Sequence, residues 1–220
     1  MKAMILAAGR GERMKPLTVI TPKPLLMAHN TTLLAHVLHQ LRDAGIQEVV
    51  MNVHHLRDQI INYCGDGAAF DLRIQYSIEE ELLETGGGIY RALPLLGDES
   101  FLVVSADVWT DYPFEKLIAR STDAAHLVFV DNPNFHLQGD YGLNENNIVL
   151  DNATKKFTYA SFGLLHPDLF RSTHLSIFRL TQVLTSAIQN NRVTGEYYAG
   201  QWHNVGSIAD LDALRKIDCL

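Results

Sequence analysis

Apolar residues recur along the chain at two periods. Lys2-Ala3-Met4-Ile5-Leu6, Glu48 to Val53, Phe101 to Ala106 and Ala125 to Val130 form short, nearly continuous apolar runs. Such runs predict strands buried on both faces, as in a parallel sheet. Phe70 to Ser77 alternates enough to predict a third strand in chain order. Between the strands the period lengthens. Leu34, Val37, Leu38 and Leu41 fall at helical spacing, with Thr31 or Thr32 able to cap the start and Gly45 the end. A shorter helix over His55 to Cys64 is closed by Gly65-Asp66-Gly67. The order strand, loop, helix, strand, helix, strand predicts an α/β fold: a doubly wound, Rossmann-like, mostly parallel sheet. Further on, 144–156 predicts a turn-rich hairpin and Tyr159 to Leu165 a strand. Arg179 to Asn190 predicts an amphipathic helix, and Asp210 to Asp218 a last one.

The 220 residues suit one large domain without linker or repeat. The formal net charge is −7, which argues against nucleic acid as a partner. No apolar run approaches the roughly 20 residues that span a bilayer, so no membrane segment is expected. Cys64 and Cys219 form no CxxC pair and predict free thiols in a reducing compartment, the cytoplasm. His36 and His39, three apart on a helix, predict two partly exposed helix histidines rather than a metal site. His54 and His55 are neighbours at a strand end, point to opposite sides and would not share an ion.

The chemistry concentrates in Ala7 to Leu25. Gly9 and Gly11 permit a tight turn straight after the first strand. Arg10, Arg13, Lys15 and Lys23 place four cations around it. Backbone N–H groups flanked by cations make a concavity suited to phosphate. A dinucleotide fingerprint would need a glycine where Met14 stands, and a P-loop would need Gly-Lys-Ser/Thr. Two other features face the same crevice of a doubly wound sheet. One is the triple glycine of Glu79 to Gly88, which predicts backbone open to a flat ligand. The other is Asp107, ending a buried strand, a natural first magnesium ligand beside phosphates.

Gly9-x-Gly11-x-Arg13, then Pro16-Leu17-Thr18, then Pro22-Lys23-Pro24-Leu25, resembles the signature of sugar-1-phosphate nucleotidylyltransferases. Leu83 to Gly88, Ser105-Ala106-Asp107 and Trp202 to Gly206 extend the resemblance over nearly the whole chain. It implies one nucleotidyltransferase domain over 1–220, with 1–130 binding nucleotide and 131–220 binding sugar. It implies Arg13 and Lys23 as catalytic cations. Ala8, Gly9, Gly11, Glu12, Arg13, Lys23, Glu79, Gly86 and Gly87 would surround the nucleotide, and Ser105, Asp140 and Glu196 would meet the sugar. Asp107 and Asn204 would hold Mg2+, although the family pattern has Asp where Asn204 stands. The implied reactants are UTP and a sugar 1-phosphate, as in the short uridylyltransferase branch that uses N-acetylmuramate α-1-phosphate. Guanylyl-, thymidylyl- and phosphocholine cytidylyl-transfer are the enzymatic alternatives, and a nucleotide-binding module without turnover is a further one. The oligomeric state is left open by the sequence.

Overall fold

The structure is a computed structural model and describes residues 1–217. Asp218, in the expected last helix, and Cys219 lie outside the described residues. Seven strands form the central sheet: β1 (Ala3–Leu6), β2 (Glu48–Val53), β3 (Arg73–Ile78), β4 (Phe101–Ser105), β5 (Ala125–Val130), β6 (Thr158–Leu165) and β7 (Val193–Tyr197). Their spatial order is β7-β5-β6-β4-β1-β2-β3. β1 pairs in parallel with β2 and β4, β2 with β3, and β5 with β7. β6 alone runs against its neighbours, between β4 and β5, with a bulge between Tyr159 and Gly163. The apolar runs explain the parallel strands. β1, β4 and β5 are covered on both faces, by one apolar cluster containing Ile5, Met51 and Val104 and another containing Met4, Val50 and Val103.

Helices α1 (Leu33–Asp43), α2 (Arg57–Cys64) and α3 (Glu84–Leu96) connect the first four strands. Thr32 caps α1 by accepting from the Ala35 N–H at 3.0 Å. The chain runs β1, β2, β3 to one edge, then returns to place β4 on the far side of β1. The carboxyl ends of β1 and β4 therefore meet at a reversal of strand order, where such sheets bind ligands. Helices α4 (Leu180–Gln189) and α5 (Ile208–Leu214) complete the fold, with a two-stranded ribbon pairing Val108–Thr110 to Trp202–Asn204. No helix among the described residues is long and apolar enough to cross a membrane. His36 stacks on Trp109 at 5.0 Å and bonds the Thr110 carbonyl.

The triple glycine departs from expectation. Gly86, Gly87 and Gly88 are not an open loop; they are buried within the first turns of α3. Each lets another group approach. A Cβ on Gly86 would lie 2.5 Å from the Phe178 ring, and one on Gly87 would strike the Ser176 carbonyl oxygen. The N–H groups of Gly86 and Gly87 both donate to the Phe178 carbonyl, at 2.9 and 3.0 Å. The segment before α4 is thereby strapped onto the start of α3. Gly87→Ala should test this. Alanine gains roughly 1 kcal/mol in helix propensity, yet the collision should cost more, on the order of 1–3 kcal/mol net. A thermal melt should show a lowered Tm; a raised one would mean the close approach is not needed.

Candidate active site

The cleft forms from loops that follow β1 and β4. After β1 the chain turns at Gly11, whose φ of +62° suits glycine, into a 3-10 turn over Glu12–Met14. Thr18 donates to the Gly11 carbonyl at 2.9 Å, and a Cβ on Gly11 would lie 2.8 Å from the Thr18 methyl. Met14 is fully buried in a small cluster with Leu33, Val205 and Leu211. That anchor turns the neighbouring Arg13 toward the cleft. The N–H groups of Ala8, Gly9, Arg10 and Gly11 meet no backbone acceptor among the described residues, leaving donors for an anion.

A cavity of about 660 Å³ opens here, within the range of small-ligand sites. Ala8, Gly9, Gly11, Glu12, Arg13 and Lys23 line it from the first loop, and Ser105 and Asp107 from the end of β4. The ammonium of Lys23 contacts the carboxylate of Asp107, both largely buried. Burial pushes the Asp107 carboxyl up, but Lys23 and the Ser105 hydroxyl outweigh it and hold the group below its ordinary value. Arg13 has no carboxylate within ion-pair distance among the described residues, so its charge is free for a ligand. Its guanidinium lies close over Gly206, where a Cβ would sit 2.9 Å from Nη2. Lys15, by contrast, pairs at the surface with Glu12 at 2.5 Å.

Several expected residues lie elsewhere. Gly86 and Gly87 spend their N–H groups on Phe178 and are outside the cavity lining. Glu79 is also outside it, buried and accepting from Asn52 and from the Leu83 N–H. Asp140 accepts from the Tyr159 N–H at 2.8 Å and faces His136 at 3.0 Å, tying its loop to β6. Glu196 accepts from Arg120 at 2.6 Å and from the Tyr112 hydroxyl, with His126 at 3.8 Å. His126, Tyr112 and Arg120 together hold its carboxyl down to about 2 despite partial burial. Asn204 does not line the cavity, but its neighbour Val205 donates to the Asp107 carbonyl at 3.0 Å, which keeps it close. Residues given no site role by the sequence also line the cleft, among them Asn52, Glu84, Thr85, Arg179 and Gly206.

A family model described as nucleotidyl transferase matches residues 2–157. The chain belongs to the nucleotidyl transferase family. Among nucleotidyl transferases, N-acetylmuramate alpha-1-phosphate uridylyltransferase of Neisseria meningitidis serogroup B is 41% identical, covering 96% of this chain and 95% of its own length. The protein of the same description from Caulobacter vibrioides is 29% identical, covering 93% of this chain and 91% of itself. The crystal structure of HddC from Yersinia pseudotuberculosis shares the fold, with a TM-score of 0.81 at 19% identity over 98% of each chain. The resemblance read from the Gly9 to Leu25 signature and the expected mostly parallel sheet both hold for this nucleotidyl transferase.

Glu196→Gln tests the assignment of that carboxylate to scaffold rather than substrate. The neutral side chain should cost on the order of 2 kcal/mol at pH 7. A folded pKa below the unfolded value of about 4.5 gives stability that is full above 4.5 and lost as pH falls toward about 2. The gap in stability between wild type and variant should therefore close across that window in pH-dependent melts. A constant gap would refute the ionic role.

Proposed function

We propose that this nucleotidyl transferase joins UTP to N-acetylmuramate α-1-phosphate, giving UDP-N-acetylmuramate and pyrophosphate. The observation that carries the reading is end-to-end similarity to the Neisseria uridylyltransferase in a chain whose Arg13, Lys23 and Asp107 converge on one cleft. A phosphate monoester has its second pKa near 6, so the attacking oxygen is already ionised at about pH 7 and needs no general base. That oxygen bonds to the α-phosphorus, the bond to the bridging oxygen breaks, and pyrophosphate leaves with the electron pair. The obstacle is bringing two anions together in line. Lys23 would answer the charge between the α-phosphate and the sugar phosphate. Arg13, with no carboxylate partner among the described residues, would take the leaving pyrophosphate. The unclaimed N–H groups after β1 would hold the triphosphate.

The residues fit magnesium. Among the described residues no three His, Cys, Asp or Glu side chains form a cage, and magnesium ordinarily takes one or two carboxylates plus substrate phosphates. Asp107 would hold it, with Asn204 beside, and the ion supplies positive charge at phosphate oxygens. We read 1–130 as the nucleotide-binding part, supported by the loops after β1 and β4. We read 131–220 as the sugar-binding part that closes the cleft through Arg179 and Gly206. The free, buried Cys64 supports a reducing compartment, the cytoplasm.

Mixing the protein with UTP, N-acetylmuramate α-1-phosphate and magnesium should release pyrophosphate; no release would reject the reading. Lys23→Ala should lower kcat roughly 100-fold or more, the effect of losing one oriented donor in a phosphoryl site. Turnover near the wild-type rate would remove Lys23 from the mechanism.

Asn204 offers an uncharged oxygen where the family pattern carries a carboxylate. Wild-type rate should therefore keep rising into millimolar magnesium. Asn204→Asp should lower the magnesium concentration that gives half-maximal rate. An unchanged titration with the fold intact would leave Asp107 as the protein's ligand.

A further inference from the structure

Asn52 stands opposite Leu6 of β1, is 3% exposed and lines the cleft. Its Oδ1 accepts from the Ala7 N–H at 3.0 Å, and its Nδ2 donates to Glu79 Oε1 at 2.6 Å. Glu79 is 1% exposed, and its other oxygen accepts from the Leu83 N–H at 2.9 Å. These bonds leave the amide one orientation. A backbone N–H can meet only the oxygen, and a carboxylate can meet only the NH2. Gly88 closes the space from above, where a Cβ would lie 2.6 Å from both Asn52 Nδ2 and Glu79 Oε1. The NH2 carries two protons. The second meets no acceptor among the described residues, and a buried donor left unmade is costly.

We infer that Asn52 is a specificity-determining residue that donates its free N–H to the C4 carbonyl of the nucleotide's pyrimidine base, and that Glu79 is the residue positioning it. The inference rests on the uridylyltransferase reading and deepens it. A hydroxyl or the C2 carbonyl would not require a locked amide, because these features do not separate one pyrimidine from the other. Position 4 does: uracil presents an acceptor there and cytosine an amine. A donor that cannot rotate meets an acceptor in UTP and a second donor in CTP. Glu79 thus acts on the nucleotide at one remove, through Asn52, rather than by touching it.

The test compares kcat/KM for UTP, CTP, 2-thio-UTP and 4-thio-UTP. Failure of wild type to use any of them rejects the functional reading itself, before Asn52 is at issue. In an active wild type, 4-thio-UTP, a poor acceptor at position 4, should lose roughly tenfold against UTP, while 2-thio-UTP stays close to UTP. Equal use of UTP and 4-thio-UTP, or a loss confined to 2-thio-UTP, overturns the inference without any variant. In Asn52→Ala the UTP value should fall roughly tenfold or more, and the UTP to 4-thio-UTP ratio should collapse toward one. A fall shared equally by all four nucleotides, with their ratios kept, would make Asn52 a mere floor of the cleft and overturn the proposal. Glu79→Ala should lower the UTP to CTP ratio by releasing the amide, and Glu79→Gln, which still offers Oε1, should recover it. A ratio that ignores both changes removes the positioning role.

Discussion

The contact between Lys23 and Asp107 holds the cleft together. Each side chain is largely withdrawn from water, and either charge alone in that position would be expensive to bury. Together they permit a cleft that is shaped before any ligand enters. Their meeting depends on topology. One charge follows β1 and the other follows β4, which lie side by side because the chain returns from the β3 edge to pass on the far side of β1. Met14, buried against Val205 and Leu211, fixes the first loop from below, and Gly206 lets Arg13 lie flat against the C-terminal segment. The cleft is thus assembled from segments about 200 positions apart in the chain, joined by a few small contacts.

Most of this was legible where the physics is local. Parallel strands covered on both faces must be apolar throughout, so β1, β2, β4 and β5 announce themselves as runs. The loop after β1 is equally open to reading. Glycine spacing, cations and the absence of a third glycine at Met14 define the turn without any distant contact, and Ala8, Gly9, Gly11, Glu12, Arg13 and Lys23 all line the cleft. Asp107 and Ser105 follow because the end of a buried strand in such a sheet faces the crevice.

What escaped was set by partners far off in sequence. Glycine is a poor helix former, so a run of three reads as loop; here packing against Ser176 and Phe178 overrides the propensity. Glu79, Asp140 and Glu196 are acidic residues near the expected places, but each is already engaged, with Asn52 and Leu83, with Tyr159 and His136, and with Tyr112 and Arg120. A carboxylate's availability depends on who surrounds it, which one sequence does not display. Asn52 and Arg179 carry no motif of their own, and enter the cleft through strand register and the strap before α4, while Gly206, the glycine of the Trp202 to Gly206 stretch, arrives with the ribbon to Trp202–Asn204.

The strap has a dynamic consequence. Three glycines each weaken a helix by roughly 1 kcal/mol relative to alanine, so the opening turns of α3 cannot persist by propensity. They stay wound because the Phe178 carbonyl receives the N–H groups of Gly86 and Gly87, while Phe178 donates to Leu83 at 3.2 Å and Leu180 to the Thr85 hydroxyl at 2.9 Å. Lifting the strap and fraying the helix are then one opening event, not two. The amide protons of Gly86, Gly87, Phe178 and Leu180 should exchange with solvent deuterium at a shared rate, distinct from that of the β4 core. Since Thr85 and Arg179 border the cleft on either side of this joint, that exchange rate is a clock for how often this wall comes undone.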